Sequence, residues 1–210
     1  MCIRDSGGFR RSHNIAYSPV CAGCNACVPI RIRAHEFEPD RTQRRIEKRN
    51  ADLLVQEMPP RATAEQYALF QAYQQARHGD GDMSTMSFYD YRAMVEDTPI
   101  ETSLVEFRLP SGQLVGACLT DRLGDGLSAV YSFFETEMNA RSLGTYAIIW
   151  LARRAVSLRL EHVYLGYWVE DSRKMSYKAK FHPSEVLRGG VWRALGEAAT
   201  LPARMISQPA

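Results

Sequence analysis

The stretch from Leu127 to Trp168 decides the fold. It opens on Leu127-Ser-Ala-Val-Tyr-Ser-Phe-Phe-Glu135, passes through Ser142-Leu-Gly-Thr-Tyr-Ala-Ile-Ile-Trp-Leu-Ala152 and closes on His162-Val-Tyr-Leu-Gly-Tyr-Trp168. The outer two segments are rich in β-branched and aromatic residues at period two, which predicts strands. The middle segment is apolar almost all round. It predicts a helix from Leu143 to about Leu158, capped by Ser142 and covered on more than one side. In the last strand Val163, Leu165 and Tyr167 are expected on one side, with Tyr164, Gly166 and Trp168 on the other. Gly166 inside the run predicts a bulge, or the close approach of another backbone or a ligand.

Working upstream, Ser103–Leu109 and Gln113–Leu123 read as strands joined by the turn Pro110-Ser-Gly112. Gly124-Asp-Gly126 turns the chain into Leu127, giving an antiparallel meander. Cys118 lies in the middle strand and reads as a small buried hydrophobe. Thr63-Ala-Glu-Gln66 is a capping box that opens a helix to about Arg77, with Tyr67, Phe70 and Tyr73 on one side. Ser87-Phe-Tyr-Asp90 starts a shorter helix to about Glu96. Pro59-Pro60 reads as a linker. Before it, Val28–Arg33 alternates as a half-exposed strand, and a helix is expected from Arg41 to Glu57.

Downstream, Asp171 or Ser172 offers a cap for about two helical turns before Pro183. On such a helix Lys174 and Lys178 share a face with Tyr177, while Met175 and Ala179 form the packing side. Like charges at this spacing repel by roughly 0.2–0.5 kcal/mol. An anion between them reverses that sign; alternatively Glu170 reaches Lys174 and Lys178 is solvated. Past Pro183 the pattern fades, although Val191, Trp192 and Leu195 offer packing. The last ten residues read as a loose tail.

The chain has 210 residues and net charge +2. No run approaches the roughly 18 apolar residues of a membrane helix, and the start has no apolar h-region, so a soluble intracellular protein is expected. Residues 1–50 hold ten Lys/Arg against five Asp/Glu. Arg41, Arg44, Arg45, Lys48 and Arg49 cluster, either as a solvated helix face or as a phosphate-binding stripe. Cys21-Ala-Gly-Cys-Asn-Ala-Cys27 is a knuckle of thiols that points to zinc or an iron–sulfur cluster. Both normally want four ligands. The ferredoxin-type fourth position is Arg31, so a fourth ligand would have to come from elsewhere, such as His13.

The element order resembles the plan of the GNAT-like acyltransferase fold, an α/β fold in which two central strands splay apart around an acyl donor. The donor's phosphates meet the helix N-terminus after the third strand. Arg141-Ser-Leu-Gly-Thr-Tyr146 resembles half of that loop, with Gly144 at the phosphate. Tyr146 is expected to crowd a pyrophosphate, which disfavours CoA.

The chain is identified as resembling the aminoacyl-tRNA–protein transferases of the N-degron pathway, in particular their bacterial leucyl-transferring branch. The residues that carry the resemblance are Cys21–Arg31, then Phe37, Pro39, Arg41, Arg44 and Arg45. Val130, Tyr131 and Phe133 follow, then Ser142–Tyr146, Leu165–Val169, Lys174–Lys178 and Pro183. Met1–Ser6 resembles nothing in that family. The resemblance implies a truncated N-terminus that lacks a further cysteine motif, leaving the metal region incomplete. It also implies a small cysteine-rich, basic subdomain at 7–58, a GNAT-like aminoacyltransferase domain at 62–195 and a tail at 196–210.

The implied reaction moves leucine from leucyl-tRNA to the N-terminal amine of cytoplasmic proteins that begin with Asp or Glu, without ATP, CoA or a membrane. Lys174 and Lys178 would neutralise the acceptor carboxylate or a terminal phosphate. Tyr131 and Tyr177 would donate hydrogen bonds near the carbonyl or the terminal adenosine, or else simply pack. Glu135 is the candidate base, with water as its substitute. Arg41, Arg44, Arg45, Lys48 and Gly144 would hold tRNA, and Cys21, Cys24 and Cys27 a metal. The rivals are an arginyl donor, a CoA-dependent acetyltransferase and a non-catalytic nucleic-acid-binding module.

Overall fold

The computed structural model describes residues 5–196. In chain order these form β1 (Arg10–Ser12), β2 (Ile15–Tyr17), β3 (Val28–Arg33), α1 (Arg41–Arg49), β4 (Leu54–Met58), α2 (Ala64–His78) and α3 (Phe88–Glu96). There follow β5 (Thr102–Arg108), β6 (Leu114–Arg122), β7 (Gly126–Phe134), α4 (Leu143–Ser157), β8 (His162–Trp168), β9 (Ser184–Arg188) and β10 (Val191–Ala194). Eight strands make one sheet in the order β10-β9-β3-β8-β7-β6-β5-β4. Neighbours are antiparallel except β7 and β8, which run parallel. The mixed α/β plan with one parallel pair at its centre is GNAT-like, as the element order predicts.

Alternation along β5 and β6 feeds two cores. On one face Val105, Phe107 and Val115 meet Ile148, Ile149 and Leu151 of α4. On the other, Leu104, Leu119 and Phe133 meet Leu69 and Phe70 of α2 and Tyr91 and Val95 of α3. Burying each such side chain contributes roughly 1.5–3 kcal/mol relative to exposure. Ala34, Phe37, Ile46 and Leu53 join the α4 core, which explains why that helix is apolar all round. The capping boxes at Thr63 and Ser87 form as expected.

The helix expected to reach Glu57 stops at Arg49. Asn50, fully buried, donates from its side chain to the Ile46 and Arg141 carbonyls and turns the chain. The residues beyond it become β4, the sheet edge paired with β5. Residues 7–58 therefore build no core of their own among the described residues: β3 and β4 belong to the common sheet. Ser142 does not cap α4 with its hydroxyl; it adopts φ +50, and its main-chain oxygen accepts from Thr145 and Tyr146. The unpatterned region past Pro183 is a hairpin, β9–β10, turned by Gly189-Gly190 at φ +59 and +76. Such a pair supplies the left-handed backbone that a two-residue hairpin turn requires. The expected tail past Gly196 lies outside the described residues.

β1 and β2 form a separate two-stranded sheet. Arg11 pins it to the body through a buried fork onto Asp121, Nε to Oδ2 at 2.7 Å and Nη2 to Oδ1 at 2.9 Å. The Thr102 hydroxyl donates to the same carboxylate at 2.7 Å.

Candidate active site

β7 and β8 pair only where Gly126, Leu127 and Ser128 face His162, Val163 and Tyr164. Beyond that point each strand carries one extra residue relative to its outer neighbour. Val130 is extra in β7, because Tyr131 and Ala129 face the adjacent residues Leu119 and Thr120. In β8 the extra residue falls between Tyr164 and Tyr167, where Gly166 has φ +77. The bulge expected at Gly166 is present, and it resets the alternation. Trp168 is buried in the same core as Val163 and Leu165, not opposite them. Tyr167 instead sends its hydroxyl to the Gly8 carbonyl at 2.9 Å.

The group that approaches Gly166 is the Arg10 guanidinium, from a segment that reads in the sequence only as a basic lead-in. It donates to the Ala129 carbonyl at 2.8 Å and to the Val130 carbonyl at 3.0 Å, both on β7. The adjacent Arg10-Arg11 pair was the available signal, but its meaning depends on a fold contact about 120 residues away.

Lys174 and Lys178 do not share an α-helical face. Ser172–Met175 is a turn, and Ser176–Lys180 is a short 3-10 helix. Lys174 is exposed, and with Arg77 it adds to the burial that pushes His78 down. Lys178 is half-buried, and its Nζ donates to the Tyr167 carbonyl at 2.6 Å. Desolvation, with a smaller contribution from Arg10, pushes Lys178 down to about 8. No carboxylate pairs with either lysine among the described residues. Met175 and Ala179 pack against the core as expected.

Tyr177 is 41% exposed, but its hydroxyl sits in dense surroundings near Tyr73. Desolvation pushes Tyr177 and Tyr131 each up to about 12, so both remain phenols and can donate. Gln74 donates to the Tyr131 oxygen at 2.7 Å, which leaves the Tyr131 proton for another acceptor. Tyr73, expected on the same side of its helix as Tyr67 and Phe70, sets its ring obliquely on Phe134 and edge-on to His78. Glu135 is half-buried just past β7, and its carboxylate accepts from the Glu137 N–H at 3.2 Å. It lies four residues beyond Tyr131, roughly 13 Å along an extended strand. No hydrogen bond or ion pair joins it to Lys174, Tyr177 or Lys178 among the described residues.

Arg41, Arg44, Arg45 and Lys48 all lie on α1, on the side of the helix away from the buried Gln43 and Ile46. Arg44 donates to the Pro39 carbonyl, whereas Arg41, Arg45 and Lys48 pair with no carboxylate among the described residues. Gln43 of the same helix donates to the Lys180 carbonyl at 3.1 Å, which ties α1 to the Lys178 segment. Gly144 packs: a Cβ there would lie 2.8 Å from the Phe134 ring. Tyr146 turns into the core, its ring 5.7 Å from Phe107, so it does not crowd the helix N-terminus as expected.

Cys21, Cys24 and Cys27 are exposed free thiols, and Cys118 is buried and pushed up to about 11. Among the described residues no three His, Cys, Asp or Glu side chains converge to hold a metal. The knuckle as it stands therefore does not fit the four-donor site that zinc or an iron–sulfur cluster requires.

The mixed sheet, splayed where its one parallel pair of central strands parts, is that of a GNAT-like acyltransferase fold. The family model for the arginine-tRNA-protein transferase C terminus matches residues 65–188, and that for its N terminus matches residues 6–45. A protein of Gluconacetobacter diazotrophicus named aspartate/glutamate leucyltransferase is 60% identical over 188 residues, covering 90% of this chain and 72% of the relative. Another of that name from Granulibacter bethesdensis is 58% identical over 191 residues, covering 91% and 72%. Among solved structures, L-PGS from Bacillus licheniformis superposes with a TM-score of 0.58 at 12% identity, over 80% of this chain and 59% of that one, a likeness of fold alone. The chain belongs to the arginine-tRNA-protein transferase family, whose activity is aminoacyl transfer from tRNA to protein.

Proposed function

We propose that this chain transfers leucine from leucyl-tRNA to the N-terminal amine of cytoplasmic proteins beginning with Asp or Glu, within the N-degron pathway. The observation that carries the donor and acceptor is the 58–60% identity to relatives named for that activity. The site is consistent with it. The acceptor's α-amine, once deprotonated, attacks the ester carbonyl of the aminoacyl-tRNA. A C–N bond forms, the ester C–O bond breaks, and the terminal tRNA hydroxyl leaves with a proton. The ester is already activated, so neither ATP nor CoA is consumed.

In this reading Lys178 supplies the positive charge for the acceptor's carboxylate. It has no carboxylate of its own to satisfy, and a partly desolvated amine gains more from an incoming anion than a solvated one does. Tyr131 and Tyr177 donate to the developing oxyanion, and Lys174 lies at the exposed rim. Arg41, Arg45 and Lys48 hold tRNA phosphates, on the helix that Gln43 fastens beside Lys178. Positioning carries much of the acceleration.

The test is a transfer assay with radiolabelled leucyl-tRNA, arginyl-tRNA and acetyl-CoA as donors, and Asp-, Glu- and Asn-starting peptides as acceptors. Leucyl transfer to Asp and Glu alone is expected. Preference for arginyl-tRNA would replace the donor assignment, and transfer from acetyl-CoA would overturn the reading.

A further inference from the structure

We propose that Arg10 is a positioning residue of the transfer site, which fixes the spacing of the splayed strands and sets the charge environment of Lys178. This deepens the aminoacyl-transfer reading and rests on it.

The geometry is that of a wedge. The side chain of Arg10 is 11% exposed. One end of its fork takes the two β7 carbonyls at the bulge, Ala129 and Val130, which β8 has moved too far away to use. The other end donates to the Ser128 hydroxyl at 3.0 Å and to Asp5 at 3.1 Å. On the β8 side the guanidinium lies against Gly166, where a Cβ would stand 2.9 Å from Nε and 3.0 Å from Cζ. Arg10 thus spans the gap at the level where the strands part. A lysine could place a charge there, but with one nitrogen it could not reach the two carbonyls and the Ser128 and Asp5 side chains at once.

The Lys178 amine bonds the carbonyl of Tyr167, the residue after the Gly166 against which Arg10 lies, so the two cations meet β8 at adjacent residues. Arg10 is the charged neighbour that adds to desolvation in depressing Lys178. Asp5 is engaged with Arg10 and Ser128 and makes no ion pair with Lys178. The phenols of Tyr177 and Tyr73 near this position are uncharged below the basic range. Lys178 thereby holds its proton less tightly than an ordinary lysine until an anionic acceptor arrives.

The chain has four lysines, Lys48, Lys174, Lys178 and Lys180, so each can be followed by NMR after 13C reductive methylation. The signal that disappears in Lys178→Met assigns Lys178. In the parent protein its midpoint is expected near 8. In Arg10→Met the midpoint should rise by about half a unit or more, because one of two depressing influences is removed. Arg10→Lys keeps the charge and should leave the midpoint near the parent value. Its kcat for leucyl transfer should nevertheless fall about tenfold or more with little change in KM, because the fork is gone.

An unmoved midpoint in folded Arg10→Met, or full transfer by Arg10→Lys, would overturn the proposal. If Arg10→Met does not fold, the kcat of Arg10→Lys decides. Failure of the parent protein to transfer leucine would sink the functional reading instead, while the lysine titration still reports on the coupling.

Discussion

Lys178 donates from Nζ to the main-chain oxygen of Tyr167 at 2.6 Å, on one of the two central strands that part from each other beyond Ser128 and Tyr164. The bond fixes an amine beside the gap without neutralising it. A structural lysine would find a carboxylate, whereas this one is left partly desolvated and available.

Depression of Lys178 makes stability depend on pH. Its folded value of about 8 lies below the ordinary 10.5. Between those values the unfolded chain binds more protons than the folded one, so the contribution of this group to stability rises with pH across about 8 to 10.5. Lys178→Met removes the effect. Denaturant unfolding of both proteins should show the Met variant gaining relative stability as pH falls from 10.5 towards 8. A difference that is flat across that window would place the lysine in ordinary solvent.

Gly166→Ala should weaken fold and transfer together. The backbone at φ +77 is left-handed, and the new methyl would meet Arg10 at 2.9 Å. The strain alone costs roughly 1–3 kcal/mol. Chemical denaturation measures it. Unchanged stability would mean that the bulge relaxes without Arg10.

Asp121→Ala should cost about 3–5 kcal/mol, because it leaves the Arg11 guanidinium buried without its counter-charge. Arg11→Met should be comparably harmful for the converse reason. Both side chains are at most 2% exposed, so solvent cannot substitute. A thermal shift of only a degree or two for either variant would show that the β1–β2 hairpin is not pinned by this pair.

The basic stripe should behave as a phosphate ruler. Arg41→Glu/Arg45→Glu should weaken tRNA binding without altering which peptide is preferred. It should also flatten the plot of log affinity against log salt, by about 0.7–0.9 for each phosphate that is no longer neutralised. Arg44 is the poorer choice, being engaged with the Pro39 carbonyl. A slope identical to the parent's would return the cluster to a solvated face.

Much of this architecture is legible in the sequence because it is local. The capping boxes at Thr63 and Ser87, the meander from Ser103 and the bulge at Gly166 each announce themselves within a few residues. β4 escaped because an edge strand is mostly exposed, so Leu54–Met58 shows no alternation to separate it from the preceding helix. β9 escaped because it is five residues long, although Gly189-Gly190 marked its turn. The Lys174–Lys178 segment reads at helical period, but Lys174 falls in a turn and only Lys178 in the short 3-10 helix that follows, so no α-helical face carries both. Arg10 was illegible for a different reason. The partners that make it a wedge are two carbonyls and a glycine, none of which carries a side-chain signature, and all three are more than 110 residues away.

The most direct measurement compares Asp-starting and Asn-starting peptides as leucine acceptors for the parent protein and Lys178→Met. Truncating one member of a desolvated charge pair commonly costs about 2–5 kcal/mol. The parent should therefore prefer Asp strongly, and the Met variant should lose most of that preference while remaining folded. A folded Met variant that still favours Asp over Asn to the parent's degree would contradict the assignment of Lys178 to the acceptor carboxylate.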